Sequence, residues 1–263
     1  MIRLSRDQVT PPAGWQQTVS NALPDPPAYD REAKKFEALD LNCAQRRNGF
    51  PSFAPLVLKK QGGKPCFPAL WGRAKKALAG MSHRKCAYCE GKINSPRAGQ
   101  VDHFKPKSLF PSLAYDWDNY FLSCGGCNNA KHDKWPRTGE YLRPDRGDPS
   151  QHLRFETDGS VKALQAGSDA DQTIDDFDLK RDWLVRLRKR HLQQMLSRLK
   201  HVMDLYQVNN AQGLQFALDE FKRVSGPANA YCAALTQCFL REWESACPGV
   251  PLPAPRRSFR AIP

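Results

Sequence analysis

The chain has no uninterrupted run of about 18 apolar residues, so no transmembrane helix is expected. Its opening residues, MIRLSRDQVTPPAGW, lack the apolar stretch of an export signal. The expectation is a cytoplasmic protein without a membrane partner. Acidic residues are under-represented: 27 Asp and Glu stand against 40 Lys and Arg, a net charge of +13. That allows a phosphate-backbone partner, although a basic solvated surface gives the same count. No repeat is present, nor a recognisable helix-turn-helix or other sequence-reading module. A disulfide framework is not expected either, because the nine cysteines are odd in number and a reducing compartment is expected.

What is present begins with those cysteines. Cys86-Ala-Tyr-Cys89 and Cys124-Gly-Gly-Cys127 are two CxxC pairs separated by 34 residues. Each pair can set two thiolates on one turn, and together they supply the four sulfurs of a closed tetrahedral zinc site. Such a site has no open position, so its role is structural. Cys43, Cys66, Cys232, Cys238 and Cys247 show no ligand spacing and are expected to be buried thiols.

Coarse patterning divides the chain at 1–66, 67–147 and 148–263. Residues 1–30 are Pro-rich and polar, with PDPP at 24–27, and suggest an extended lead-in. A short helix is expected from Tyr29 to about Cys43, a loop over 48–65, and a helix from Phe67 to Gly80 on the spacing of Leu70, Trp71, Ala74, Ala77 and Leu78. Leu153 to Phe155, an Asp158-Gly159 turn and Val161 suggest a hairpin. Beyond it, Leu184, Leu187, His191, Leu192, Met195, Leu199, Val202 and Tyr206 recur at helical spacing. The opposite face carries Arg186, Arg188, Lys189, Arg190 and Arg198, which suit a solvated helix side better than a dedicated nucleic-acid groove. Further helices are expected over 211–224 and 227–246, then a loosely ordered Pro-rich tail. Six aspartates within 169–182 would repel DNA and suit a protein partner or an exposed helix start.

Between and beside the two cysteine pairs run Val101-Asp102-His103-Phe104-Lys105-Pro106-Lys107, then Tyr115-Asp116-Trp117-Asp118-Asn119, then Cys127-Asn128-Asn129-Ala130-Lys131. An Asp-His pair or a single Asn means little alone. The order Cys-x2-Cys, Asp-His, Asn, Cys-x2-Cys-Asn within 43 residues is specific. It resembles HNH endonucleases of the ββα-metal fold. The resemblance implies an α+β protein, mainly helical around a small ββα core and stapled by a four-cysteine Zn²⁺ site. It implies that His103 is the general base and Asp102 a ligand of a catalytic Mg²⁺ or Mn²⁺. Asn119 would hold the histidine loop, and Asn128 would stand where the family's final histidine ligates the ion. Asn in that place makes this an HNN variant with a hard oxygen donor. Lys105, Lys107 and Lys131 would touch phosphate, or else be ordinary surface lysines.

The flanks are similar to one branch of the family. Lys85 to Glu90, Asp148-Pro-Ser-Gln-His152, Phe155, Gly159, Thr173-Ile174 and Leu179 resemble the HNH subunits of Septu-type and retron-associated anti-phage defence. The branch often has Leu-Asn where this chain has Leu179-Lys180. The branch implies a metal-dependent endonuclease, DNA favoured over RNA, working beside an ABC- or SMC-like ATPase that the C-terminal helices and the N-terminal segment could dock. The competing reading is a non-catalytic zinc-binding adaptor for nucleic acid or an ATPase; it has no need of Asp102, His103 and Asn128 together.

Overall fold

A computed structural model describes residues 1–250 apart from 2, 8, 24, 39–59, 62–63, 66, 96–97 and 137–138. The expectations for Cys43, Cys66, most of the loop at 48–65 and the Pro-rich tail lie largely outside the described residues. The chain forms two compact units. One comprises Leu4–Ala87 with Ile93–Tyr141, and the other Leu142 onward with Met1–Arg3 and Tyr88–Lys92. Among the described residues no helix is long and apolar enough to cross a membrane.

The first unit opens with α1 (Trp15–Ala22), where the sequence suggested a lead-in, and α2 (Pro26–Ala38), which starts three residues before the helix expected from Tyr29. The proline signal misled for a physical reason. Asp25 caps α2, its carboxylate accepting the Ala28 N–H at 2.9 Å. Pro26 and Pro27 then occupy the first turn, where a missing N–H costs nothing. Tyr29, Ala33 and Phe36 share one face of α2 and are buried with Leu23, Phe67, Ala114 and Tyr115. A short hairpin, β1 (Lys60–Gln61) and β2 (Lys64–Pro65), precedes the next element. The helix expected from Phe67 is divided into a 3-10 turn at Leu70–Ala74 and α3 (Lys75–Met81).

The centre of this unit is a two-stranded antiparallel ladder covered by one short helix. β3 (Gly99–His103) pairs with β4 (Tyr120–Cys124) in the register Gly99↔Cys124 to His103↔Tyr120. Between the strands the chain makes 3-10 turns at Pro111–Leu113 and Trp117–Asn119. α4 (Gly125–Lys131) follows β4 without a loop and lies against both strands. This is the β-β-α order that the motif resemblance implied.

The second unit contains the hairpin of β5 (Leu153–Phe155) and β6 (Val161–Ala163), turned at Gly159, where φ is 88°. α5 (Asp169–Asp176) holds four of the acids. Then come α6 (Asp182–Val208), α7 (Asn210–Ser225) and α8 (Cys232–Ala246), packed pairwise. Leu184, Arg188, Leu192, Met195, Leu199 and Val202 form the buried stripe of α6. The α6–α7 reversal is tight: a Cβ on Gly213 would stand 2.1 Å from Tyr206 Cα, so only glycine fits. Arg188, which the pattern put on the solvated face, is buried. His191 is half-buried, with its ring 5.1 Å from Tyr231. Cys232, Cys238 and Cys247 are buried thiols.

Candidate active site

Cys86 follows the turn after α3, Cys124 ends β4, and Cys127 lies in the first turn of α4. The Ala87 N–H donates to Leu122 O at 2.9 Å, seating the first CxxC turn beside β4. The ligand sulfurs of Cys86, Cys89, Cys124 and Cys127 all lie within 4.8 Å of one another. Sulfurs bound to tetrahedral zinc at about 2.3 Å stand about 3.8 Å apart, so the cluster fits that ion. Three of the four cysteines are buried and all belong to a closed set, as a structural site requires.

β3 and α4 meet with matching periodicities. Gln100 and Asp102 are two apart on a strand and share a face; Asn128 and Lys131 are three apart on a helix and share a face. They meet in pairs. Asn128 Nδ2 donates to Gln100 Oε1 at 2.7 Å. Lys131 Nζ donates to Asp102 Oδ1 at 3.0 Å and to the His103 carbonyl at 2.6 Å. Lys131 is 0% exposed and Asp102 3%. A lysine so placed presents no atom to a phosphate; burial beneath α4 makes it the counter-charge of Asp102, which replaces the expectation of a surface contact. Asn128 remains half-buried near the start of α4.

His103 ends β3 and is 7% exposed. Its Nε2 lies 2.9 Å from the Ala114 carbonyl. A carbonyl can only accept, so Nε2 carries the proton and Nδ1 keeps the lone pair. Ala114 O also accepts the Tyr120 hydroxyl at 2.6 Å. The edges of Trp71 and Tyr120 flank the imidazole at centroid distances of 5.0 and 5.1 Å. Burial, then the charge of Lys107 and more weakly that of Lys131, push the imidazolium pKa down to about 3, against the pull of the Ala114 carbonyl. The ring is therefore neutral at pH 7.

Asn119 clamps the segment that follows His103. Its Oδ1 accepts the Lys105 N–H at 2.8 Å, and its Nδ2 donates to Lys105 O and Leu113 O, each at 3.0 Å. The Phe104 N–H donates to Asn119 O at 2.8 Å, completing the loop closure. Lys107 is half-buried, its ammonium 4.9 Å from the Trp71 ring centroid; burial lowers its pKa, while Asp102 pulls it up. Lys105 pairs with Glu140 at 2.6 Å and lies over Trp135 and Phe110. Sequence reasoning passed over Gln100, Trp71 and Ala114. Gln100 was legible as the residue two before Asp102 on a strand. Ala114 contributes a backbone atom, which no side-chain pattern reveals.

Residues 86–134 match the family model of HNH endonucleases, a span that contains the cysteine cluster and Gln100, Asp102, His103, Ala114, Asn119, Asn128 and Lys131 but not Trp71. The chain is 34% identical over 90 residues to the Septu protein PtuB of Bacillus thuringiensis, covering 33% of this chain and 35% of that protein. It is 26% identical over 160 residues to the Septu protein PtuB of Bacillus mycoides (strain KBAB4), covering 49% of this chain and 54% of that protein. The chain thus spans about a third and about half of these relatives' lengths. The match to the HNH endonuclease model at 86–134 and the similarity to two Septu proteins agree with the resemblance carried by the motifs.

Proposed function

We propose that residues 86–134 form a hydrolytic site for nucleic-acid phosphodiester bonds, DNA favoured over RNA. The protein would be the nuclease component of an anti-phage defence system and act with an ABC- or SMC-like ATPase. One observation supports the reading: within a span matching HNH endonucleases, Asp102 and His103 end the first strand of a β-β-α unit, and the Ala114 carbonyl accepts from Nε2 of a neutral His103. The HNH match supports the nucleic-acid substrate, and the Septu relatives support the defence setting.

Asp102 and Asn128 supply hard oxygen donors suited to Mg²⁺ or Mn²⁺ and poorly suited to a thiophilic ion. Asp102 and Asn128 would hold such an ion, and the chemistry it would supply is Lewis-acid charge stabilisation at the scissile phosphate and the 3′ leaving oxygen. The rest falls to this chain's side chains. His103 Nδ1 takes a proton from the attacking water, while Ala114 O keeps the opposite nitrogen protonated. Asn119 fixes the backbone that leaves His103, and Lys131 fixes Asp102. With a pKa near 3, His103 is a weak acceptor in this closed arrangement. An incoming phosphate offsets the charge of Lys107, the larger of its two cationic neighbours, and so raises its basicity.

The burial of Asp102 against Lys131 is what the adaptor reading would draw on, and one experiment separates the two. Zinc-loaded protein is incubated with plasmid DNA and with tRNA, in Mg²⁺, in Mn²⁺ and in EDTA, alone and with the ATPase of its own system. Cutting that needs Mg²⁺ or Mn²⁺ is expected, on DNA before tRNA. Binding of either polymer without cutting, with the ATPase present, supports the adaptor.

A further inference from the structure

The imidazole tautomer that the proposed chemistry needs depends on one carbonyl, and that carbonyl is held from outside residues 86–134. Ala114 lies in the segment between the two 3-10 turns. Its oxygen accepts from both His103 Nε2 and the Tyr120 hydroxyl, which uses both lone pairs. The backbone on either side of it is gripped by α1 and α2. Glu37 holds Ser112 twice: Oε1 accepts the backbone N–H at 2.7 Å, and Oε2 the hydroxyl at 2.8 Å. The Tyr29 hydroxyl donates to Pro111 O, and Trp15 Nε1 donates to Tyr115 O at 3.1 Å. Tyr29 and Trp15 are also core residues, so their loss would disturb packing first. Glu37 is half-buried near the C-terminal end of α2, outside that buried apolar set. Its two bonds are charge-assisted, the stronger class of hydrogen bond.

Resting on the reading of His103 as the base, we propose that Glu37 is a positioning residue for the nuclease site. It sets Ser112 and hence Ala114 O, and through that oxygen it keeps His103 in the Nε2–H tautomer with Nδ1 available. The N-terminal helices are then part of the working site, and residues 86–134 alone do not suffice for it.

The test reads the tautomer directly. Side-chain nitrogen NMR of the zinc-loaded full chain, with His103 assigned through His103→Gln, is recorded for the wild type, Glu37→Ala and Glu37→Gln. The wild type should show a single Nε2–H form. Glu37→Ala should show exchange between tautomers, with a kcat loss of about tenfold and KM within about twofold of wild type. Glu37→Gln keeps an oxygen for the Ser112 N–H and should restore most of the wild-type signal. An unaltered His103 signal in Glu37→Ala overturns the proposal. Should that variant not fold, Ser112→Ala removes only the hydroxyl bond; a smaller tautomer shift is expected there, and none overturns it. Wild-type cutting by His103→Gln would instead sink the assignment of the base, whatever the tautomer result.

Discussion

Each unit of this protein buries a cation completely, and the two are used differently. Lys131 in the first unit is 0% exposed and faces Asp102 and the His103 carbonyl. Arg188 in the second unit is 2% exposed, donates to the Gly159 and Leu179 carbonyls and lies 5.3 Å from the Phe155 ring centroid. Arg188 ties the turn of the β5–β6 hairpin to α6, using a planar fork to satisfy backbone that has no ladder partner. Lys131 ties a strand end to α4 where the Asp102 carboxylate is followed directly by His103. Burial of charge alone therefore says little about function; the chemistry of the partner separates a staple from a site.

The largest expected effect comes from the cysteine cluster. Structural zinc contributes apparent binding energies of about 10–16 kcal/mol in small domains. Removing it with a strong chelator, or replacing Cys124 by Ser, should release one zinc per chain by elemental analysis and collapse the near-UV circular dichroism of the buried aromatics around β3 and β4. Retention of that signal without zinc would show the cluster to be dispensable.

The two buried cations provide the next test. Lys131→Met and Arg188→Met should each destabilise the fold by about 3–5 kcal/mol, the usual result when one member of a buried polar set is lost. Urea unfolding measures this. The comparison predicts a split in the second readout: Lys131→Met also lowers the nuclease rate of the folded fraction, and Arg188→Met leaves it unchanged. Equal rates in the two variants would erase the distinction.

A smaller effect comes from pH. His103 has a pKa of about 3 in the fold against an ordinary 6.5. Between those values the unfolded chain binds a proton that the folded chain does not. The stability from a neutral, buried ring is therefore complete above about pH 6.5 and is lost as pH falls toward 3. Between pH 6 and 4 the wild type should lose about 1.4 kcal/mol per pH unit more than His103→Gln, the worth of one proton. Cysteine protonation affects both proteins and cancels in the difference. Parallel pH profiles would mean that the ring is not held neutral.

The sequence made some of this legible and hid the rest for identifiable reasons. The cysteine pairs, the Asp102–His103 strand end and the Asn119 clamp are local in sequence, and their residue types are tied to chemistry. α6 announced itself through its apolar stripe, yet the same stripe put Arg188 on the wrong face, because periodicity ranks arginine as polar whatever it can bond to. Lys131 could be placed one turn from Asn128 but not beneath α4, since burial depends on how a seven-residue helix lies on two strands. α1 lay in a stretch that suggested a lead-in, and α2 was expected to start only at Tyr29, because PDPP marks a helix start as well as a turn. Glu37 was invisible, since its bonds to Ser112 cross 75 residues.

The central claim is that the cysteine cluster provides structure and His103 provides chemistry. Its most direct test is single-turnover cleavage of plasmid DNA by wild type and His103→Ala, matched for zinc content and melting temperature and assayed with the ATPase of the same system. The account predicts that the variant keeps its zinc and its melting temperature and loses about 10²–10⁴-fold in rate, as expected when a general base is removed. A variant that cuts at the wild-type rate would contradict it.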